Sequence, residues 1–498
     1  MPSTSVKTPW KAHSLSGKSA NRSGRGAEMS VTTTTKPAPS AAVHTAGITR
    51  QLAARSAALC YNDLPEDVRL RVRQCLLDWI GVTLAGACEP LVHMLAEEAR
   101  EQGGHAQATV VGHAMTTSSR QAALINGTAS HALDYDDVNM ACTGHPSVVL
   151  IPALLALAES RGASGRDFMT SFAAGYETMC QLGLASGDAQ YSNGFHTTAT
   201  LGTLGAAAAC ARLLQLDADD TATALGIAST MAAGLKSMFG TMCKPLHAGR
   251  ASADGLQAAQ LAARGFTSRA DAIECPQGFI ATHGGTASLE AALAAPDGGW
   301  HLRHNLFKFH AACYGTHAAI EAARQLRLQH ALRSDDVLRV TVRASAASEG
   351  VCNIAEPRTG LEAKFSLRHT VAMALAGVDT AGLDAFSDEA VRAPEVAALR
   401  ERVQVLLAPQ CQELTLSEVV IETQSGTVLR QRHDSGRPAS DLLEQQQRLE
   451  EKFRRLVKPV LNLAESDELI ELVARLDHLS DLSPLAGMLA RQACVVPR

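Results

Sequence analysis

From Asn62 onward the chain repeats one pattern: a polar cap, then apolar residues at helical spacing. Asn62-Asp63-Leu64-Pro65-Glu66 sets polar caps before a proline suited to a first helical turn. Val68, Val72, Cys75, Leu76 and Trp79 then recur on one face. Order is expected to begin with Gly47–Cys60, and the same pattern predicts helices over Val92–Gln102, Ser118–Asn126, Val148–Arg161, Gly165–Leu184, Thr197–Leu214, Asp219–Met238 and Ala251–Arg264. Each apolar face needs a packing partner, so this density implies one large multihelical region.

After about Asn305 the pattern changes. Ala312–Leu328 and Phe365–Leu375 still read as helices, but Val337–Val342 and Leu414–Thr423 read as strands, and Ser425-Gly426 as a turn into a strand over Val428–Gln431. Helices over Asp441–Val457 and Glu465–Leu476 are expected to return to the main body. The expected fold is mainly α with an α+β lid. Its parts are a disordered N-terminal tail (1–45), a helical domain (46–303), the lid (304–436) and C-terminal helices rejoining the helical domain (437–498). The tail is rich in Ser, Thr, Lys, Gly and Pro. A flexible tail, or a start nearer Met29, is the preferred reading; an organellar presequence is the alternative.

Composition narrows the function. The 498 residues are 46% hydrophobic but only 4% aromatic, and the net charge is -5. That profile fits a soluble protein packed with small residues. It gives no global field for nucleic acid and few rings for base stacking, and the apolar runs are poor membrane spans. The expectation is therefore no nucleic-acid partner, no membrane and a cytoplasmic location. The twelve cysteines lack CxxC or zinc-like spacing, which points to reduced thiols. No HExxH, Walker A or GxGxxG context appears, so neither a metal nor a cofactor is expected.

Four segments carry candidate chemistry. Asp134 (in HALDYDD with Asp136 and Asp137) precedes His145 in GHPS, a loop able to aim a carboxylate and an imidazole into one cavity. A capped turn with a structural histidine is the plain alternative. His196 stands at the start of an Ala-rich helix, where backbone donors favour an anion. Lys244 sits before Pro245, in a run where His247 and Arg250 can reinforce a positive pocket. Lys308 opens Lys308-Phe309-His310, followed by Cys313 and His317 one turn apart. Lys308 is read as a carboxylate anchor or, if burial lowers its pKa, a base. A Cys313–His317 nucleophile is a minor alternative. Asp134, His145, His196, Lys244 and Lys308 are the expected catalytic set; His247, Arg250, His310 and Cys313 are the expected substrate contacts.

These motifs, with Glu362-Ala363-Lys364-Phe365-Ser366-Leu367 following in order, resemble the MmgE/PrpD family over about Gly47–Leu489. The resemblance implies a homodimer with a cofactor-independent pocket between a helical domain and a lid. It places Asp134 and His145, His196, Lys244 and Lys308 in the family's successive catalytic segments. The family includes 2-methylcitrate dehydratase, cis-aconitate decarboxylase and iminodisuccinate epimerase. The decarboxylase-like pattern has a histidine where this chain has Cys313, and a lysine–x–tyrosine–proline motif becomes Lys308-Phe309-His310-Ala311. The expected reaction is proton abstraction and elimination on a small di- or tricarboxylate, like 2-methylcitrate dehydratase. Alternatives are an epimerase, a decarboxylase and a noncatalytic carboxylate binder. In that scheme His145 or Lys308 is the base, His196 the acid or orienter, Lys244 the anchor, and Asp134 the organiser of the imidazole.

Overall fold

Small residues let the predicted helices approach closely. Where the Ser119–His131 helix crosses Cys243–Ala262, Gly127 faces Gly249; a Cβ on Gly249 would lie 2.2 Å from the Leu124 carbonyl oxygen. No side chain fits there, so the two glycines set the separation that carries Lys244 and His247 toward HALDYDD. The Cys243–Ala262 helix also packs along Thr197–Leu213, which in turn packs on Gly165–Ser186 and Ser147–Arg161.

The computed structural model describes residues 47–408 and 413–491; the expected tail, Met29 included, lies outside the described residues. The protein is mainly helical, with a small mixed sheet toward its C-terminal part. A hairpin-like pair, β1 (Ala108–Val110) and β2 (Met115–Thr117), stands apart. The main sheet comprises β3 (Val337–Ser345), β4 (Val403–Ala408), β5 (Leu416–Thr423) and β6 (Val428–Asp434), in the order β4-β3-β5-β6. β3 and β4 run parallel; the other pairs are antiparallel. The Tyr314–Gln329 helix covers β5 and β6, and Leu367–Ala376 packs against that helix.

Two apolar cores result. One runs from Ile48 to Leu489 through the helices and takes in Leu449 and Phe453 of the Leu442–Val457 helix. The other lies under the sheet, and Leu133 and Tyr135 of HALDYDD reach into it. Those two residues are the link through which the turn's geometry depends on both cores. No single helix among the described residues is long and apolar enough to cross a membrane.

Several expectations need correction. The predicted Asp219–Met238 helix stops at Met231, because Gly234 (φ 147°) turns the chain and accepts a hydrogen bond from the His196 N–H (3.0 Å). The predicted Ala251–Arg264 helix starts earlier, at Cys243: Pro245 sits in the first turn, where a missing N–H costs nothing. β1, β2 and β4 were not anticipated. The thiol expectation fails at Cys88, which is disulfide-bonded.

Candidate active site

The site begins where the Ser119–His131 helix ends. Asp134 takes a left-handed conformation (φ 52°), tolerable for Asp but costly for most side chains. Tyr135 follows, and its carbonyl accepts a hydrogen bond from Lys452 Nζ (2.7 Å). The same ammonium lies 2.6 Å from Asp78 Oδ1 and 4.1 Å from the Tyr135 ring centre. A helix from the end of the chain thus clamps the turn between Asp134 and Asp136, and these two carboxylates face different partners.

Asp134 belongs to the lysines. Its Oδ1 lies 2.9 Å from Lys244 Nζ and 2.9 Å from Lys308 Nζ, and Lys308 also donates to the Asp134 carbonyl (2.7 Å). Burial opposes ionisation of Asp134, but the two ammonium groups outweigh it and hold the carboxyl well below its usual range. Burial likewise pulls Lys308 down, yet Asp134 and Asp136 raise it above its ordinary value. Lys308 is therefore charged at neutral pH, which removes it as the resting base.

Asp136 belongs to the histidines. Its Oδ1 is 3.0 Å from His131 Nδ1, and its Oδ2 is 2.8 Å from His145 Nδ1. The second contact is close but poorly aligned as a hydrogen bond, so it acts chiefly through charge. Burial brings His131 to about 4, more than Asp136 restores, so His131 is neutral near pH 7. It satisfies Asp136 by donating Nδ1–H, and the carboxylate stays ionised, well below its ordinary value despite burial. The His131 ring also stacks on His196 (centroids 5.8 Å apart) and meets His145 edge-on (4.7 Å). His145 Nε2 is 3.9 Å from Asp134 Oδ1.

His196 stands just before the Thr197–Leu213 helix, its Nδ1 3.2 Å from His247 Nδ1. One of these nitrogens donates and the other accepts. Burial lowers both pKa values, His196 most, so the pair is neutral. Thr198 Oγ1 accepts the His145 N–H (3.2 Å), and Thr197 donates to the Thr143 carbonyl (2.6 Å), pinning the GHPS turn to the helix start.

These groups open onto a cavity of about 680 Å³. Asp134, His145, His196, Lys244, Lys308 and Cys313 all line it. Apolar walls come from Val138, Phe239 and Ile354, and Tyr191 and Lys236 add polar edges. Ligand atoms of His131, Asp134, Asp136 and His145 lie within 4.8 Å of one another, a spacing compatible with a cation. Asp134 is already neutralised by two ammonium groups, however, and a cation there would have to displace them.

Residues 50–292 match the MmgE/PrpD N-terminal domain, and residues 310–478 the MmgE/PrpD C-terminal domain. The chain belongs to the MmgE/PrpD family. It is 28% identical over 464 residues to cis-aconitate decarboxylase of Homo sapiens, covering 89% of this chain and 94% of that protein. It is 26% identical over 471 residues to cis-aconitate decarboxylase of Aspergillus terreus, covering 89% and 96%. It is also 27% identical over 460 residues to the cis-aconitate decarboxylase-like protein oryM of Aspergillus oryzae, covering 86% and 94%. These relatives carry the names of lyases for a small carboxylate.

The structure brings the five expected catalytic residues of this MmgE/PrpD chain together with Cys313 and places His247, Arg250 and His310 elsewhere. His247 touches His196 rather than the cavity wall. Arg250 is a correction: one turn further along its helix it is half exposed and pairs with Asp254 (3.1 Å). His310 is another. Its Nδ1 lies 2.7 Å from Thr380 Oγ1 and its Nε2 3.3 Å from Glu321, in a different cavity. Two positions past Lys308, the chain has turned away from the main pocket. His317 lies with Nε2 3.2 Å from the Ala312 carbonyl and its ring against His310 and Tyr314, which leaves no Cys313–His317 pair. Cys313 instead interacts with Cys352, which holds its thiol below the ordinary value against burial. Sequence reasoning gave Asp134 the role of orienting His145; the nearer carboxylate is Asp136. It missed Asp136 and His131 as site residues, although their i, i+5 placement around a turn in HALDYDD was the available signal.

Proposed function

We propose that this protein is a lyase that moves a proton beside a carboxylate of a small di- or tricarboxylate, using its own side chains. The observation that carries this reading is the convergence of two ammonium groups and an Asp136-backed imidazole on one cavity. Lys244 and Lys308 bind the substrate carboxylate and neutralise charge that builds on it when the adjacent C–H bond breaks. His145, with the Asp136 carboxylate 2.8 Å behind its Nδ1, takes that proton on Nε2. In the first reading the C–H electrons form a carbon–carbon double bond and the β C–O bond breaks. The departing hydroxide takes the proton that His145 has just accepted and leaves as water, which returns the imidazole to its neutral form. Neutral His196 orients the substrate through a hydrogen bond rather than acting as the acid.

Cys313, at a position where the decarboxylase-like pattern has histidine, favours elimination over a literal cis-aconitate decarboxylase. The names of the relatives favour a second reading, decarboxylation. There the C–CO2 bond breaks, its electrons stay on carbon, and protonated His145 delivers the proton.

The test is NMR with mass detection on 2-methylcitrate, cis-aconitate and stereoisomeric iminodisuccinates in deuterated water. Water loss supports the first reading and carbon dioxide loss the second. Deuterium gain with inversion and no other mass change identifies an epimerase and overturns both. Binding without turnover or exchange identifies a carboxylate-binding protein instead.

A further inference from the structure

Lys364 belongs to the Glu362-Ala363-Lys364-Phe365-Ser366 run, and the chemistry described so far gives it no task. It lines a second cavity of about 610 Å³ beside the first. The two chambers share Asp134, Gly240, Lys244, Leu361 and Phe365, so a ligand held by Lys244 has access to both. The backbone of Lys364 is fixed: its carbonyl accepts the Cys313 N–H (2.9 Å), and its own N–H donates to the Gly360 carbonyl (3.3 Å). One residue thereby ties the wall of the first chamber to that of the second.

The side chain is partly buried, and burial lowers its pKa, with Asp134 and Glu89 pulling it partly back. Among the described residues no carboxylate oxygen lies within 4.0 Å of its Nζ; the Phe386 ring centre is 6.0 Å away. Glu89 lines the same chamber without reaching an ion-pair distance. On the other side, Asp134 is the single carboxylate shared by Lys244 and Lys308, and Asp136 is turned to histidines. Glu349 and Glu362 line the first chamber with oxygens engaged by Asn353 and the Arg358 N–H. Lys364 is therefore left without a carboxylate at ion-pair distance, while Lys244 and Lys308 share one. An ammonium partly withdrawn from water without an anionic partner favours a ligand that supplies one. A ligand with carboxylates spaced along a short carbon skeleton supplies partners for all three lysines.

We propose that Lys364 anchors the distal carboxylate of a tricarboxylate substrate in the second chamber, while Lys244 and Lys308 hold the carboxylate beside the reacting carbon. This rests on the polycarboxylate reading above and makes Lys364 the residue that separates tricarboxylates from dicarboxylates.

Calorimetric titration of the full chain with tricarballylate and with succinate tests it. Succinate is tricarballylate without one carboxymethyl arm, and neither carries a hydroxyl to eliminate, so binding is read without turnover. In the wild type tricarballylate binds more tightly. In Lys364→Met its affinity falls about tenfold or more, as expected for a lost charge-assisted hydrogen bond. Succinate affinity stays within about twofold, and Lys364→Arg recovers part of the loss. Equal losses for both acids in Lys364→Met, or no loss in either, overturn the assignment of Lys364 while leaving the polycarboxylate reading in place. Failure of the wild type to bind either acid overturns that reading, and this proposal with it. Lys364→Gln, which keeps most of the chain stem, provides the same comparison if Lys364→Met does not fold.

Discussion

Asp134 and Asp136 are two positions apart in one turn, both largely shielded from water, and do opposite things. Asp134 is surrounded by ammonium groups, Asp136 by imidazoles. The residue between them decides this. Tyr135 is anchored by Lys452 at its carbonyl and inserted into the core under the sheet, so the flanking carboxylates turn to different walls. The lysine side offers fixed positive charge, which binds. The imidazole side offers nitrogens whose proton can move. The lesson is that the same side-chain type, in one loop, acquires its function from the neighbours that distant helices deliver.

The sharpest way to break the comparison is to neutralise each side in turn. Asp136→Asn keeps the shape of the site but removes the negative charge that stabilises the imidazolium formed when His145 takes the proton. It lowers kcat about a hundredfold with little change in KM. Lys308→Met acts on the other side and raises KM about 10- to 100-fold, with a smaller effect on kcat. Steady-state kinetics on whichever acid turns over checks both; the reverse pattern would mean that the two sides have been assigned the wrong way round.

A smaller effect tests the scaffold that sets the two sides apart. Gly249→Ala forces a methyl toward the Leu124 carbonyl and pushes the Lys244 helix away from Ser119–His131. A loss of about 1–3 kcal/mol is expected from urea denaturation. The constraint at Gly249 is the helix separation rather than a left-handed backbone, so a stability unchanged by the methyl would show that the two helices can part without cost.

The smallest effect concerns Asp137, the third carboxylate of the motif, whose Oδ2 accepts the Ser147 hydroxyl (2.6 Å). Burial pushes it up to about 7 from 3.8, with Ser147 opposing and Asp78 and Asp136 assisting. Between those values the native state keeps a proton that the unfolded chain has released. Its contribution to stability therefore falls as pH rises through that window and levels off above about 7. Asp137→Asn removes this component, so the urea midpoint of the variant declines less between about pH 5 and 7 than that of the wild type. An unchanged slope would show that Asp137 is ionised like its neighbours.

Much of this was legible in the sequence. Apolar spacing located the long helices, because a buried stripe must recur every three to four residues whatever it packs against. The ordered motifs located the five cavity-lining residues. What spacing cannot express is direction. Arg250 and His310 lie within a few residues of Lys244 and Lys308 but point elsewhere, since one helical turn or one bend re-aims a side chain. The Asp136 pairing depends on Lys452, far along the chain, and so has no local signature. β4 was missed for a similar reason: a short parallel edge strand takes its pairing from β3 rather than from alternation of its own.

The central claim is that His145, backed by Asp136, moves the proton while the lysines bind. It is tested most directly by deuterium incorporation into a saturating carboxylate substrate, followed by NMR, in wild type and His145→Gln. The account predicts that the variant still binds tricarballylate but loses exchange by about 10²- to 10⁴-fold. Exchange at the wild-type rate in folded His145→Gln would contradict it and move the base to another residue of the cavity.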